Sequence, residues 1–213
     1  MQKKIQDRDL SKSIKAAIRE LGGSFVPFKH IIREILREYG SFDNLNGKTV
    51  IELGPGFNFR MIEYLARYAK VEAAGLNTLI TEPPEFYMEK YLYDYLFSKP
   101  ENSIDLIYSR RVMENYSFDP ALLVKSPAYE KLRTNGPSNE VWVDYPGARL
   151  NIIRCYIEAF KALKPGGIII SHIGNRIMAR FHQNLPRQLG FELVVRYPFR
   201  WIGQMWVFRK PYK

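Results

Sequence analysis

Two groups of residues in this 213-residue chain have types and spacings that could do chemistry. The first is Val50-Ile-Glu52-Leu-Gly54-Pro-Gly56-Phe-Asn58, an apolar strand that ends in an acid and two glycines before a helix opens. Glycines there let the backbone approach a ligand and adopt angles that a side chain forbids. A helix N-terminus adds exposed N–H groups, and the combination suits a nucleoside cofactor. A dinucleotide fold would use a third glycine, which falls at Phe59. The Glu52 carboxylate would also repel a diphosphate, whereas it suits a cationic, amine-bearing ligand. The second group sits at strand ends: Ser109, Arg110 and Arg111 follow Ile104-Asp-Leu-Ile-Tyr108, and His172 follows Ile168-Ile-Ile-Ser171. Open α/β sheets bind ligands at that carboxyl edge. There the arginines could grip a phosphate or carboxylate and His172 could move a proton. The competing readings are surface charge for the arginines and a hydrogen-bonded structural histidine for His172.

The elements that must hold these residues read as a repeating strand and helix pattern. Leu10, Ile14, Ala17, Ile18 and Leu21 share one helical face, with Asp9 and Ser11 as caps and Gly22-Gly23 as the stop. A second helix follows Pro27 with Phe28, Ile31, Ile32, Ile35, Leu36 and Tyr39 inward. The first strand comes next, over Lys48 to Leu53, then a helix through Met61, Ile62, Leu65 and Tyr68, a strand from Val71 to Leu76, and a helical or irregular stretch over Pro83 to Tyr91. Residues 118–147, rich in proline and aromatic residues, break the rhythm and read as an insertion. A helix from about Ala148 to Leu163 then precedes the Ile168 strand, and a helix over about Arg176 to Leu189 precedes two β-rich runs, Phe191 to Tyr197 and Gln204 to Phe208. Alternating strands and helices predict an α/β fold with a mostly parallel sheet and helices on both faces. The domain division is 1–46 as an N-terminal helical extension and 47–213 as the main domain.

Composition bounds the rest. Hydrophobic residues make up 46% and charged residues 25% of the chain, which excludes wholesale disorder. No apolar run approaches a membrane span and the N-terminus lacks a signal-like stretch, so a cytoplasmic location is expected. Cys155 is the only cysteine, which excludes an intrachain disulfide and a multi-cysteine zinc site; no acidic cluster suggests a metal. The net charge of +10 makes nucleic acid and acidic small molecules plausible partners. From Gly174 onward Glu192 is the only acid among eight basic residues, yet no dense basic run forms.

The Glu52-Leu-Gly-Pro-Gly56 turn resembles the first motif of class I S-adenosylmethionine-dependent methyltransferases, and further stretches agree in order. Pro100-Glu-Asn-Ser-Ile-Asp-Leu-Ile-Tyr-Ser109 is similar to the family's fourth-strand segment and Val112-Met-Glu-Asn115 to its Val-Leu-Glu-His element. Ala162-Leu-Lys-Pro-Gly-Gly167 is similar to the loop before the fifth strand, and Leu189-Gly-Phe-Glu192 to the approach to the sixth. The resemblance implies a Rossmann-like, seven-stranded sheet whose final strand is antiparallel, and S-adenosylmethionine as cofactor. Glu52, Gly54, Pro55, Gly56 and Asn58 would then wall the methionine and ribose end. Asn77 would take the ribose hydroxyls in place of the family's usual acid, and Asp94 the adenine amine, with Tyr95 or Leu96 against the ring. Ser109 and Arg110 would run along the methionine side.

Methyl transfer needs donor and acceptor held in line and water excluded, so catalytic side chains can be few. His172 is the first candidate base, with Glu114 and, from the insertion, Asp144 and Tyr145 as others. The N-terminal helices and the insertion are expected to form a lid over the methyl group. The reading is a methyltransferase for a small-molecule acceptor with an anionic or aromatic part. The alternatives are an RNA methyltransferase, an inactive methyltransferase-like binding protein and a nicotinamide-dependent oxidoreductase; Phe59 and Glu52 disfavour the last.

Overall fold

The computed structural model describes residues 7–22, 26–55, 59–75, 82–110, 146–173, 183–199 and 203–213. Their elements, in chain order, are α1 (Asp7–Glu20), α2 (Val26–Tyr39), a 3₁₀ turn (Asp43–Leu45), β1 (Thr49–Leu53), α3 (Arg60–Ala66), β2 (Lys70–Gly75), β3 (Tyr87–Glu89), α4 (Leu92–Phe97), β4 (Ile104–Arg110), α5 (Pro146–Ala162), β5 (Leu163–Ile173), a helix α6 over 183–188, β6 (Glu192–Phe199) and β7 (Gly203–Arg209). The strands form one seven-stranded sheet in the order β3-β2-β1-β4-β5-β7-β6. All neighbours are parallel except β7, which runs antiparallel to β5 and β6.

Strand alternation divides the core in two. Ile51, Leu53, Ile107, Ile169 and Trp206 face α4, α5 and Leu185 of α6. Val50, Leu106, Tyr108, Ile168, Ile170 and Met205 face the other side, where α1, α2 and α3 lie. The result is three layers, with the sheet buried on both faces, which is why its strands read as continuous apolar runs. Leu10, Ile14, Ala17 and Leu21 of α1 are buried in the second cluster, so α1 and α2 form a layer of the sheet's own core.

Three local expectations need correction. Helix α1 starts at Asp7, which places Asp9 and Ser11 inside its first turns rather than at its cap. Tyr87–Glu89, within the stretch expected to be helical or irregular, pairs with β2 as an edge strand. Tyr87 earns that place through its side chain, which is buried and donates from its hydroxyl to the Gly75 carbonyl at 2.7 Å. The Lys164-Pro-Gly-Gly167 loop belongs to β5, which starts at Leu163 and accommodates the extra residues through a register shift against β4 between Ile104 and Leu106.

The amino ends of the strands are bolted by one buried acid. Asp105 Oδ2 accepts from the Thr49 N–H at 2.9 Å and from Lys164 Nζ at 2.7 Å, and Lys48 Nζ lies 3.3 Å from Oδ1. The Tyr39 hydroxyl donates to the Asp105 carbonyl at 3.1 Å, which ties α2 to the same point. Burial pushes the Asp105 carboxyl up, but the hydrogen bonds from Lys164 and Thr49 outweigh it and hold the group below its ordinary value. A depressed carboxyl contributes stability above the unfolded-state value and loses it as pH falls through the folded one. Asp105→Asn is therefore expected to cost about 1–3 kcal/mol near neutral pH. In urea unfolding measured from pH 7 down to pH 3, its deficit against the wild type should shrink towards the acid end.

Candidate functional site

The strand order reverses between β1 and β4, since β2 and β3 lie on one side and β5 on the other. Open α/β sheets bind ligands at such a switch point, outside the carboxyl ends of the strands. Two of the predicted residues end up there by register alone. Leu53 pairs with Ser109 and Glu52 with Tyr108, so the carboxyl ends of β1 and β4 lie side by side at the switch point.

Glu52 is fully buried, on the α1 to α3 side of the sheet. A carboxylate there costs several kcal/mol unless donors satisfy it. Tyr108, also fully buried, supplies one: its hydroxyl donates to Glu52 Oε2 at 2.9 Å. The described start of the turn after β1, Gly54 and Pro55, carries little side-chain bulk. Gly54 has φ of +68°, in the left-handed region that glycine adopts without cost, and its N–H reaches the Ala74 carbonyl at 2.7 Å. Gly75, at the end of β2, lies so close that a Cβ on it would stand 3.3 Å from Gly54 Cα and 3.6 Å from Pro55 Cδ. Gly54, Pro55 and Gly75 thus form a corner with almost no side-chain bulk at the carboxyl edge.

Phe59 stands where a dinucleotide fold would place a third glycine. Its ring sits edge-on to Tyr87 at 5.3 Å and to Phe86 at 6.1 Å, so it fills the space between the start of α3 and the β3 edge. On the other side of the switch point, Ser109 is fully buried and its Oγ has no hydrogen-bond partner among the described residues. An unsatisfied buried hydroxyl is expensive, so at the switch point it is a group that could take a ligand's hydrogen bond. The acid, the corner of little side-chain bulk and this hydroxyl fit an amine-bearing nucleoside cofactor.

His172 lies next to last in β5, paired with Arg110 of β4 and Met205 of β7, at the carboxyl edge as expected. Its side chain is fully buried and shares the α1 to α3 side with Glu52 and Tyr108, two strands away from the acid. Arg110 closes β4. Asp94 is exposed on the first turn of α4. Tyr95 departs from its expected place against a ring: it is fully buried in the core between α4 and the sheet, and its hydroxyl donates to Glu72 Oε2 at 2.8 Å, in the amino half of β2. Burial, and then that bond to a carboxylate, push the Tyr95 hydroxyl up. Leu96 is also spent in the core. The aromatic groups at the start of α4 are Tyr91 and Tyr93, stacked at 5.9 Å, with the Arg154 guanidinium 5.8 Å from the Tyr93 ring. Gly56, Asn58, Asn77, Glu114, Asp144 and Tyr145 lie outside the described residues.

Sequence reasoning missed Tyr108, Gly75 and Tyr87 as parts of the site. Tyr108 could have been found, because it ends an apolar strand as Glu52 does and a tyrosine at that depth needs a partner for its hydroxyl. The role of Gly75 depends on how closely β1 and β2 converge, which no local pattern encodes. Cys155 is buried on α5, where burial, and then the charge of Asp94, push its thiol up to about 12. Among the described residues, no group of three or more His, Cys, Asp or Glu could hold a metal, and no helix is long and apolar enough to cross a membrane.

No family model matches the chain, and no curated protein matches it in sequence. Solved structures match it in fold. An S-adenosylmethionine-dependent methyltransferase from Archaeoglobus fulgidus has a TM-score of 0.57 at 12% identity, covering 96% of this chain and 100% of its own. One from Mesorhizobium loti has a TM-score of 0.56 at 13% identity, covering 89% and 99%. The N-methyltransferase NodS from Bradyrhizobium japonicum has a TM-score of 0.54 at 14% identity, covering 88% and 98%. The architecture is therefore the Rossmann-like fold of these enzymes, with a mostly parallel seven-stranded sheet, flanking helices and an antiparallel last strand.

The corner makes a direct prediction. Gly54→Ala puts a Cβ at a positive φ, which costs about 1–2 kcal/mol, and Gly75→Val drives a branched side chain into the Gly54 backbone. Both variants should unfold at lower urea concentration than the wild type, with Gly75→Val the more affected; wild-type stability in both would mean that the two strand ends do not converge as described.

Proposed function

We propose that the chain is an S-adenosylmethionine-dependent methyltransferase acting on a small-molecule acceptor with an anionic or aromatic part. The observation that carries the reading is a buried acid beside a corner of little side-chain bulk at the switch point of a methyltransferase fold. When bound, S-adenosylmethionine supplies a methyl group already activated by its sulfonium, so the protein's task is to hold, orient and keep water out.

Each residue then has a task. Glu52 binds the cofactor's ammonium group in a site of low dielectric, where a charged pair counts for more than in water. Gly54, Pro55 and Gly56 let the nucleoside lie against the backbone, with Asn58 beside them, and Asn77 takes the ribose hydroxyls. Asp94 receives the adenine amine at the start of α4, next to the Tyr91 and Tyr93 pair. Ser109 Oγ and the end of β4 at Arg110 line the methionine side. His172 accepts the proton that an oxygen or carbon acceptor gives up, with Glu114 and Tyr145 as further candidate bases. The first turn of α3 supports a covering role for the N-terminal helices: Arg60 Nη1 donates to the Leu21 carbonyl at 3.5 Å, which brings the end of α1 beside the cofactor turn.

Charge favours a small acidic acceptor over nucleic acid. The chain carries +10, but among the described residues Lys48, Lys164, Lys99, Arg37, Arg67, Arg209 and Lys161 are each within 4 Å of a carboxylate oxygen. Among the described residues, that pairing speaks for a small acidic acceptor rather than a phosphate track. The test is transfer of labelled methyl from S-adenosylmethionine to a panel of acidic and aromatic metabolites, with total RNA run in parallel at 50 and 200 mM salt. Label is expected in a low-mass product and reduced by His172→Ala. Label in RNA would favour the nucleic-acid reading, and cofactor binding without any transfer would favour an inactive binding protein.

A further inference from the structure

The buried polar pair at the switch point assigns a task to a residue that the functional reading leaves out. Tyr108 stands on β4 directly opposite Glu52 of β1, both side chains are fully buried, and they meet at 2.9 Å. A tyrosine hydroxyl buried at a strand end has many ways to be satisfied, including backbone carbonyls. Here it points across to the carboxylate at the end of β1. An ionised carboxylate offers about four lone-pair positions, and the Tyr108 hydroxyl occupies one of them with a donor that an apolar residue could not supply.

We propose that Tyr108 is a positioning residue for the cofactor's ammonium group, acting through Glu52. This rests on the methyltransferase reading above. By fixing Oε2, Tyr108 holds the carboxylate in one orientation, so that Glu52 meets a cation without first having to reorder. Its effect is therefore confined to the amino-acid end of the ligand. The adenosine end, held by other residues, is indifferent to it.

Two ligands separate these ends. S-adenosylhomocysteine carries both the adenosine and the ammonium group, whereas 5′-methylthioadenosine carries the adenosine and lacks the amino acid. Calorimetric titration of the full chain is expected to show that Tyr108→Phe weakens S-adenosylhomocysteine binding about tenfold, the size expected for one hydrogen bond to a charged group, and leaves methylthioadenosine binding within about twofold. In the Glu52→Gln background the same substitution is expected to have no further effect, because both changes act on one contact. Equal weakening of both ligands, an unchanged affinity for S-adenosylhomocysteine, or full additivity with Glu52→Gln would each overturn the assignment. Failure of the wild type to bind either ligand would instead overturn the methyltransferase reading itself, and this inference with it.

Discussion

A carboxylate sealed inside a sheet must find donors there, and the geometry around Glu52 follows from that need. Its partner, Tyr108, is two residues from the end of β4, so the contact exists only in one register of β1 against β4. The same strand pair is pinned at its other end by the Thr49 N–H on Asp105. A slip of one residue would send Tyr108 to the opposite face and break both contacts. One acid therefore joins the strand pair at its amino edge, and a second joins it towards the carboxyl edge.

The remaining parts are arranged so that backbone can take the place of side chains beside that acid. Gly54 turns with a positive φ, Gly75 allows β2 to close on it, and the Tyr87 hydroxyl caps the Gly75 carbonyl. Aromatic rings then fill what the glycines leave open on the β3 side: Phe59 sits against Phe86 and Tyr87. A ring therefore occupies the position where a dinucleotide fold would place its third glycine. The stack of Tyr91 on Tyr93 extends this aromatic character around the start of α4.

Much of this was legible in the residues. The Ile168-Ile-Ile run, the Glu52-Leu-Gly-Pro-Gly56 turn and the terminal pair of β-rich runs carry their structure locally, since apolar runs, glycine turns and hairpin-like ends each have a local cause. Edge strand β3 was not legible, because three residues have no period and Tyr87–Glu89 is held by a tertiary hydrogen bond and ring packing. The place of Tyr95 was not legible for a related reason: it was expected beside a ring only as the neighbour of Asp94, whereas its hydroxyl partner is Glu72, twenty-three residues away. The fate of a tyrosine hydroxyl depends on long-range partners, whereas the fate of a glycine turn depends mainly on its neighbours.

The central claim is that the corner between β1, β2 and β4 binds S-adenosylmethionine through Glu52. Isothermal titration of the purified chain with S-adenosylmethionine, alongside Glu52→Ala, tests it most directly. The account predicts one-to-one micromolar binding by the wild type and its loss in the variant. No heat of binding from a folded wild-type protein, or equal affinity in Glu52→Ala, would contradict it.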